Sequence, residues 1–214
     1  MTTIEGGMIV TDDYITYDFL KSARSHGWVR NSPRSELYPE FENKNYLFDL
    51  LGYNFRSTNI NAAIGLIQLE NLDNSINTRL KNHQYFLEKV SQLNLQSFKL
   101  GVQKVNFDET SSFSLAILFE SKEVRDYILK NLYFKGIESR PIVAGNLLKQ
   151  PVFKYKHFRS DKTSMGDKIH DLGIYIPNNQ FITLEKVDYI IQSIKELLEE
   201  FKIVKNNLNC THLK

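Results

Sequence analysis

The sequence predicts an α/β chain in two parts: an amino-terminal stretch too thin to close a core, and a small α/β domain reached through a long helix. Three observations predict it. The apolar run Phe113-Ser114-Leu115-Ala116-Ile117-Leu118-Phe119 precedes a helical pattern over 122–134 and a returning strand over 137–142, which makes a strand-helix-strand unit. Residues 58–93 place Ile60, Ala63, Ile64, Ile67, Leu72, Ile76, Leu80, Leu87 and Val90 mostly at three- and four-residue steps, as on one long amphipathic helix. The chain closes on a third such pattern over 183–204. Hydrophobic residues at 42% and charged residues at 24% are ordinary for a folded globular chain.

Taken in order, Met8-Ile9-Val10 reads as a short buried strand entered through Gly6-Gly7. Thr11-Asp12-Asp13 then offers capping oxygens for a helix over 13–25, which Gly27 ends. Residues 29–51 lack periodicity but carry Tyr38, Phe41, Tyr46 and Phe48, the composition of a long loop packed by its aromatics. After the long helix, strands over 98–107 and 112–119 can pair as a hairpin. The helix over 122–134 turns Val124, Tyr127, Ile128 and Leu132 to one face and stops at Gly136. A helix over 163–172 leads to the strand 174–176, ended by Pro177. Thr183 caps the last helix, whose apolar face is Val187, Ile190, Ile191, Ile194, Leu197, Leu198 and Phe201. The expected division is 1–57, a connecting helix 58–94, a small α/β domain 95–204 and a polar tail 205–214.

Charge and composition exclude several functions. A net charge of +2, from 27 basic and 25 interleaved acidic residues, provides no stripe for nucleic acid or an anionic membrane. No apolar stretch approaches the ~20 residues that cross a bilayer. Cys210 is the only cysteine and can form no disulfide within the chain, which suits a cytoplasmic setting. Five histidines far apart in sequence do not make a zinc site, and Gly6-Gly7 and Gly27 lack phosphate-loop spacing. One strand, one helix and one loop cannot bury a core, so residues 1–57 need further chain or a partner.

Three segments in sequence carry a family resemblance: Glu5-Gly6-Gly7-Met8-Ile9; Arg24-Ser25-His26-Gly27-Trp28; and Gly52-Tyr53-Asn54-Phe55-Arg56-Ser57-Thr58-Asn59-Ile60-Asn61-Ala62-Ala63-Ile64-Gly65-Leu66. In order and spacing they resemble the DegT/StrS family of sugar aminotransferases and dehydratases, which have the type I aminotransferase fold. The resemblance continues through Gly136-Ile137-Glu138-Ser139-Arg140-Pro141 and the closing helix. It implies the carboxyl-terminal part of a type I pyridoxal-phosphate transferase: the end of the large domain, the connecting helix and the small domain.

Within that family, the run from Arg140 to Pro151 lacks the Pro-x-His pattern of aminotransferase members and is more similar to the 3-dehydratases of nucleotide 4-keto-6-deoxy sugars. The opening Met1-Thr2-Thr3-Ile4-Glu5-Gly6-Gly7 points the same way, because in those enzymes a similar segment directly follows a histidine that replaces the cofactor-holding lysine. The resemblance therefore places the catalytic base just before Met1, as histidine in a dehydratase or lysine in an aminotransferase, and no catalytic residue in this chain. A histidine leaves pyridoxamine phosphate free to condense with the sugar C4 ketone and serves as the base when the C3 hydroxyl departs. Glutamate then restores the amino form of the cofactor.

The resemblance also gives Asn54 a role in binding the cofactor phosphate across a homodimer interface; the alternative is a turn residue. Arg56 is a candidate for the nucleotide diphosphate or a surface ion pair, since a guanidinium fork suits either. Arg140 and Asn146 are candidates for the substrate or glutamate side of the cleft, or for structural roles. The ligands implied are pyridoxal or pyridoxamine 5'-phosphate, a nucleotide-linked keto-deoxysugar and glutamate, with a second copy or a complementary amino-terminal half as partner. Sugar aminotransferase, and a non-catalytic remnant or half of a split enzyme, stay open as alternative functions.

Overall fold

The computed structural model describes residues 1–95, 98–103, 105–108, 110–143, 145–155, 159–161 and 163–211, with the backbone alone over 206–211. Their contacts separate the chain into two units, Met1–Leu72 and Asp73–Lys214.

In the first unit, helix α1 (Tyr14–Ala23) starts where the sequence predicts, with the Asp13 carboxylate accepting from the amides of Ile15 and Thr16. The expected strand before it does not form. Met8, Ile9 and Val10 are 86%, 71% and 86% exposed and have no strand partner among the described residues. A strand's backbone groups need a neighbouring strand, and a local apolar run cannot supply one.

The end of α1 explains two glycines. His26 and Gly27 are left-handed (φ 65° and 81°), and the Gly27 amide donates to the Ser22 carbonyl at 3.0 Å. A β-carbon on Gly27 would lie 1.8 Å from the Leu50 carbonyl oxygen, and one on Gly52 would lie 2.0 Å from the Gly27 nitrogen. Bare backbone at both positions lets the ends of the 29–51 loop cross. Antiparallel bridges Ser25↔Asn54 and Trp28↔Phe48 fasten that crossing.

Aromatics hold the loop only in part. Trp28 stacks on Tyr46 and Phe48, but these two remain 73% and 51% exposed. Val29 and Leu47 are the buried apolar anchors, and Arg34 binds both Asp18 (2.6 Å) and Asp49 (2.7 Å). Helix α2 (Asn59–Glu70) follows, capped by Thr58.

The predicted single helix over 58–93 is two. It breaks at Asn71, α3 (Leu72–Gln92) follows, and the boundary between the two units falls at the break. Helix α2 fully buries no residue: Ile64 of its apolar stripe is half-buried, while Ile60 and Ile67 remain 68% and 62% exposed.

The second unit is a sheet with helices packed on it. Strands β1 (Gly101–Val102), β2 (Ser114–Leu118), β3 (Arg140–Pro141) and β4 (Gly173–Pro177) lie in the order β1-β2-β4-β3, each neighbouring pair antiparallel. The expected hairpin forms as β1 and β2, with a shorter first strand than 98–107. Helix α4 (Lys122–Phe134) joins β2 to β3 as predicted, but β4 inserts between those two strands, splitting the unit.

Helix α5 (Ser164–Leu172) leads into β4, and α6 (Leu184–Thr211) closes the chain. The Thr183 hydroxyl accepts from the Lys186 amide, so the expected cap is in place. Backbone helix continues through most of the expected polar tail; the Cys210 side chain lies outside the described residues, as do His157 and His212. Leu115 and Ile117 pair with Ile176 and Ile174 across the sheet. With Phe86 of α3, Ile128 and Leu132 of α4 and the predicted face of α6, they form the core.

Candidate functional site

Residues 52–57 run extended because their backbone bonds to the end of α1: the Tyr53 amide donates to the Ala23 carbonyl, Phe55 to Arg24, and His26 to the Tyr53 carbonyl. Alternate side chains therefore point to opposite sides. Tyr53 and Phe55 stack with centroids 5.0 Å apart, 8° from parallel. On the other side the Arg56 guanidinium donates from Nε to Asn54 Oδ1 at 3.3 Å. Both polar residues are exposed. With Oδ1 engaged, Asn54 presents its amide N–H groups beside a guanidinium, a donor pair suited to an anionic group. Among the described residues the non-glycine residues with positive φ are Ile4, His26 and Asn31, so Asn54 is not in the left-handed conformation that asparagine tolerates in turns.

The second unit treats its two candidates differently. Arg140, on β3 opposite Tyr175, is 62% exposed at its side chain and paired with Glu138 at 2.6 Å. The hydrogen bond to Glu138, aided by its charge and by Tyr175, pushes the guanidinium further toward the protonated state. Asn146 is buried, and its amide bonds both its own loop and the start of α5. Nδ2 donates to Thr163 Oγ1 (2.8 Å) and Asp167 Oδ1 (2.9 Å), while Oδ1 accepts from the Leu148 amide. The hydrogen bond from Asn146, then that from Lys149, holds the Asp167 carboxyl below its usual range. That arrangement ties the 145–150 loop to α5.

Asn54 and Arg56 thus meet in the first unit, whereas Arg140 and Asn146 belong to the second and do not share a polar contact. None of the four lines the hollow of about 400 Å³ formed by Tyr14, Ile15, Asp18, Phe19, Pro33, Arg34, Asp49 and Leu50. The Arg34 cluster on its wall had no motif to announce it, because its three members are fifteen or sixteen residues apart. Asn61, quoted above only as part of a motif, also proves central: it completes the cap of α2 and bonds the backbone of Thr3 and Glu5. Its spacing from Thr58, that of a capping box, was the available signal. Among the described residues no group of three or more His, Cys, Asp or Glu could hold a metal ion.

Comparison with known proteins gives the family. The model of the DegT/DnrJ/EryC1/StrS aminotransferase family matches residues 1–195. A GDP-4-keto-6-deoxy-D-mannose 3-dehydratase of Escherichia coli O55:H7 is 35% identical over 209 residues, covering 91% of this chain and 51% of the relative. A GDP-perosamine synthase of Vibrio cholerae is 32% identical over 200 residues, covering 91% and 49%. A solved structure of GDP-4-keto-6-deoxymannose-3-dehydratase with a trapped PLP-glutamate geminal diamine superposes with a TM-score of 0.76 at 33% identity, covering 90% of this chain and 51% of that one. The chain spans about half the length of the relatives it matches, and its α/β architecture is that of a pyridoxal-phosphate-dependent transferase.

Proposed function

We propose that this chain, which belongs to the DegT/DnrJ/EryC1/StrS aminotransferase family, serves an enzyme that removes the C3 hydroxyl of a nucleotide-linked 4-keto-6-deoxyhexose in deoxysugar synthesis. The observation that carries this reading is the likeness, over 91% of the chain, to a 3-dehydratase of that chemistry. Residues 140–151, without a Pro-x-His pattern, support it. In this reading residues 1–57 are the last part of a large cofactor-binding domain and 95–204 the small domain, joined through 58–94.

The cofactor is pyridoxal or pyridoxamine 5'-phosphate, which when bound supplies the electron sink that lets the C3–oxygen bond break. The donor present fits its phosphate: Asn54 offers an uncharged, exposed amide whose Oδ1 is already engaged by Arg56. Asn54 would reach the phosphate in the second subunit of a homodimer, and Arg56 the nucleotide diphosphate. Arg140 would receive a substrate oxygen or the glutamate carboxylate by exchanging its surface partner Glu138, a surface pair of that kind being weak. Asn146 would act by shaping the loop beside it. In this reading the base would be a histidine just before Met1, the position the resemblance implies. The lone cysteine fits a reaction in the cytoplasm.

Two other readings rest on observations of their own. The likeness to a GDP-perosamine synthase favours a sugar aminotransferase with lysine as the base. The bare apolar surface of the first unit favours a remnant or one half of a split enzyme. The coding sequence upstream of the Met1 codon at the native locus separates the three. In-frame codons ending in histidine support the dehydratase, and lysine overturns it in favour of transamination. A stop codon with no complementary half nearby leaves a scaffold without chemistry. The 214-residue chain alone should bind neither form of the cofactor by absorbance titration, and tight binding with turnover of a keto-sugar would defeat the split-enzyme reading.

A further inference from the structure

Ile4 has φ 75°. A β-branched residue in the left-handed region is strained by about 1–3 kcal/mol, and such a conformation persists only where its surroundings impose it. It is exposed, so burial of its side chain does not impose it. Hydrogen bonds on either side do. Asn61 Nδ2 donates to the Thr3 carbonyl at 2.6 Å and reaches the Glu5 carbonyl at 3.4 Å, bracketing Ile4. One turn further along, a β-carbon on Gly65 would lie 3.2 Å from Thr3 Cγ2. Beyond it the Thr2 amide donates to Gln68 Oε1 at 3.3 Å. Positions 61, 65 and 68 share one face of α2, so the segment lies along that face.

The Asn61 amide is itself fixed. Its Oδ1 accepts from the Thr58 hydroxyl at 2.6 Å and the Thr58 amide at 3.3 Å. These bonds leave Nδ2 directed at the two carbonyls.

We propose that Asn61 is a positioning residue, one amide with two tasks: Oδ1 caps α2, and Nδ2 clamps residues 2–6 with Ile4 held left-handed, which sets the path of the chain entering at Thr2. Its use rests on the function proposed above, in which the base is joined to this segment; the clamp itself is tested without activity. The uncharged amide is required, because only it offers an acceptor to Thr58 and a donor to Thr3 and Glu5 at once.

Asn61→Asp separates the tasks. A carboxylate still accepts from Thr58 and suits the first turn of a helix, but it has no hydrogen to donate and repels both carbonyls. In the full chain labelled for NMR, the Ile4 carbon shifts should move from left-handed to extended values. The backbone order parameter of Ile4 should fall from about 0.85 to below about 0.6. Exchange of the Ala62 amide, bonded to the Thr58 carbonyl, should change less than about twofold. Asn61→Ala should loosen both regions, with Ala62 exchanging roughly tenfold faster. Retention of left-handed Ile4 in Asn61→Asp overturns the clamp. Equal loosening of the segment and of the helix start in that variant overturns the division of tasks. Failure of the functional reading instead appears only in the upstream codons and in activity.

Discussion

At the residue scale, the closest backbone approaches and the buried polar groups set the constraints. Gly27→Ala and Gly52→Ala each drive a methyl group into backbone that cannot yield, at 1.8 and 2.0 Å. Each should cost at least about 3 kcal/mol in urea unfolding of the first unit. An alanine variant with unaltered stability would show that the two strands do not cross there. His83 makes a different prediction. It is buried on α3, with its ring edge-on to Phe107 at 5.5 Å, and burial lowers its pKa below the usual 6.5. Below about pH 6.5 the unfolded chain therefore binds a proton that the folded chain resists. Stability should fall as pH drops through that window and level off below the folded-state pKa. His83→Gln should flatten this part of the profile, whereas the depressed carboxylates Asp167 and Glu196 lose their contribution only at lower pH. Gly27 was legible as a helix stop; its crossing with Gly52 was not, because nothing in sequence pairs positions twenty-five residues apart. The same limit hid the burial of His83.

At the element scale, elements that make their own contacts agree with the sequence, and elements that need a distant partner do not. Helices α1, α4 and α6 begin at Asp13, Ser121 and Thr183, the first and last as predicted, because a cap is a bond spanning two or three residues. The strand over 8–10 fails for want of a neighbouring strand, and α2 forms but leaves Ile60 and Ile67 of its apolar stripe exposed. Asn178 shows how α3 is joined to the sheet. Its buried Nδ2 donates to the carbonyls of Arg79 and Ser112, and Oδ1 accepts from Asn82, which also donates to the Ile182 carbonyl. Asn178→Leu strands those carbonyls and should cost about 2–4 kcal/mol, read as a lower urea midpoint for the second unit.

At the scale of the whole molecule the two units differ in completeness. Every member of the main core cluster, from Phe86 to Leu198, belongs to the second unit. In the first, Val29 and Leu47 are the buried hydrophobic side chains among the described residues, while Met8, Val10, Ile15, Leu51 and Phe55 are 70–99% exposed. Apolar surface of that extent drives association. The chain should therefore elute as concentration-dependent oligomers, and a monodisperse monomer at all concentrations would contradict the prediction. A Leu115→Ala change, by contrast, should lower the stability of the second unit by about 2–5 kcal/mol, since Leu115 is wholly buried in a closed core. The family, the α/β class and the helices α4, α5 and α6 were legible in the sequence alone, because local periodicity, caps and contiguous motifs are written over a few neighbouring residues. Tertiary structure alone decided that β4 lies between β2 and β3, that the Asn146 amide ties its loop to α5, and that Asn61 holds Thr3 and Glu5. Each of these is a choice of partner far along the chain, fixed by which buried groups must be satisfied at once, and no short stretch of sequence contains both members of such a pair.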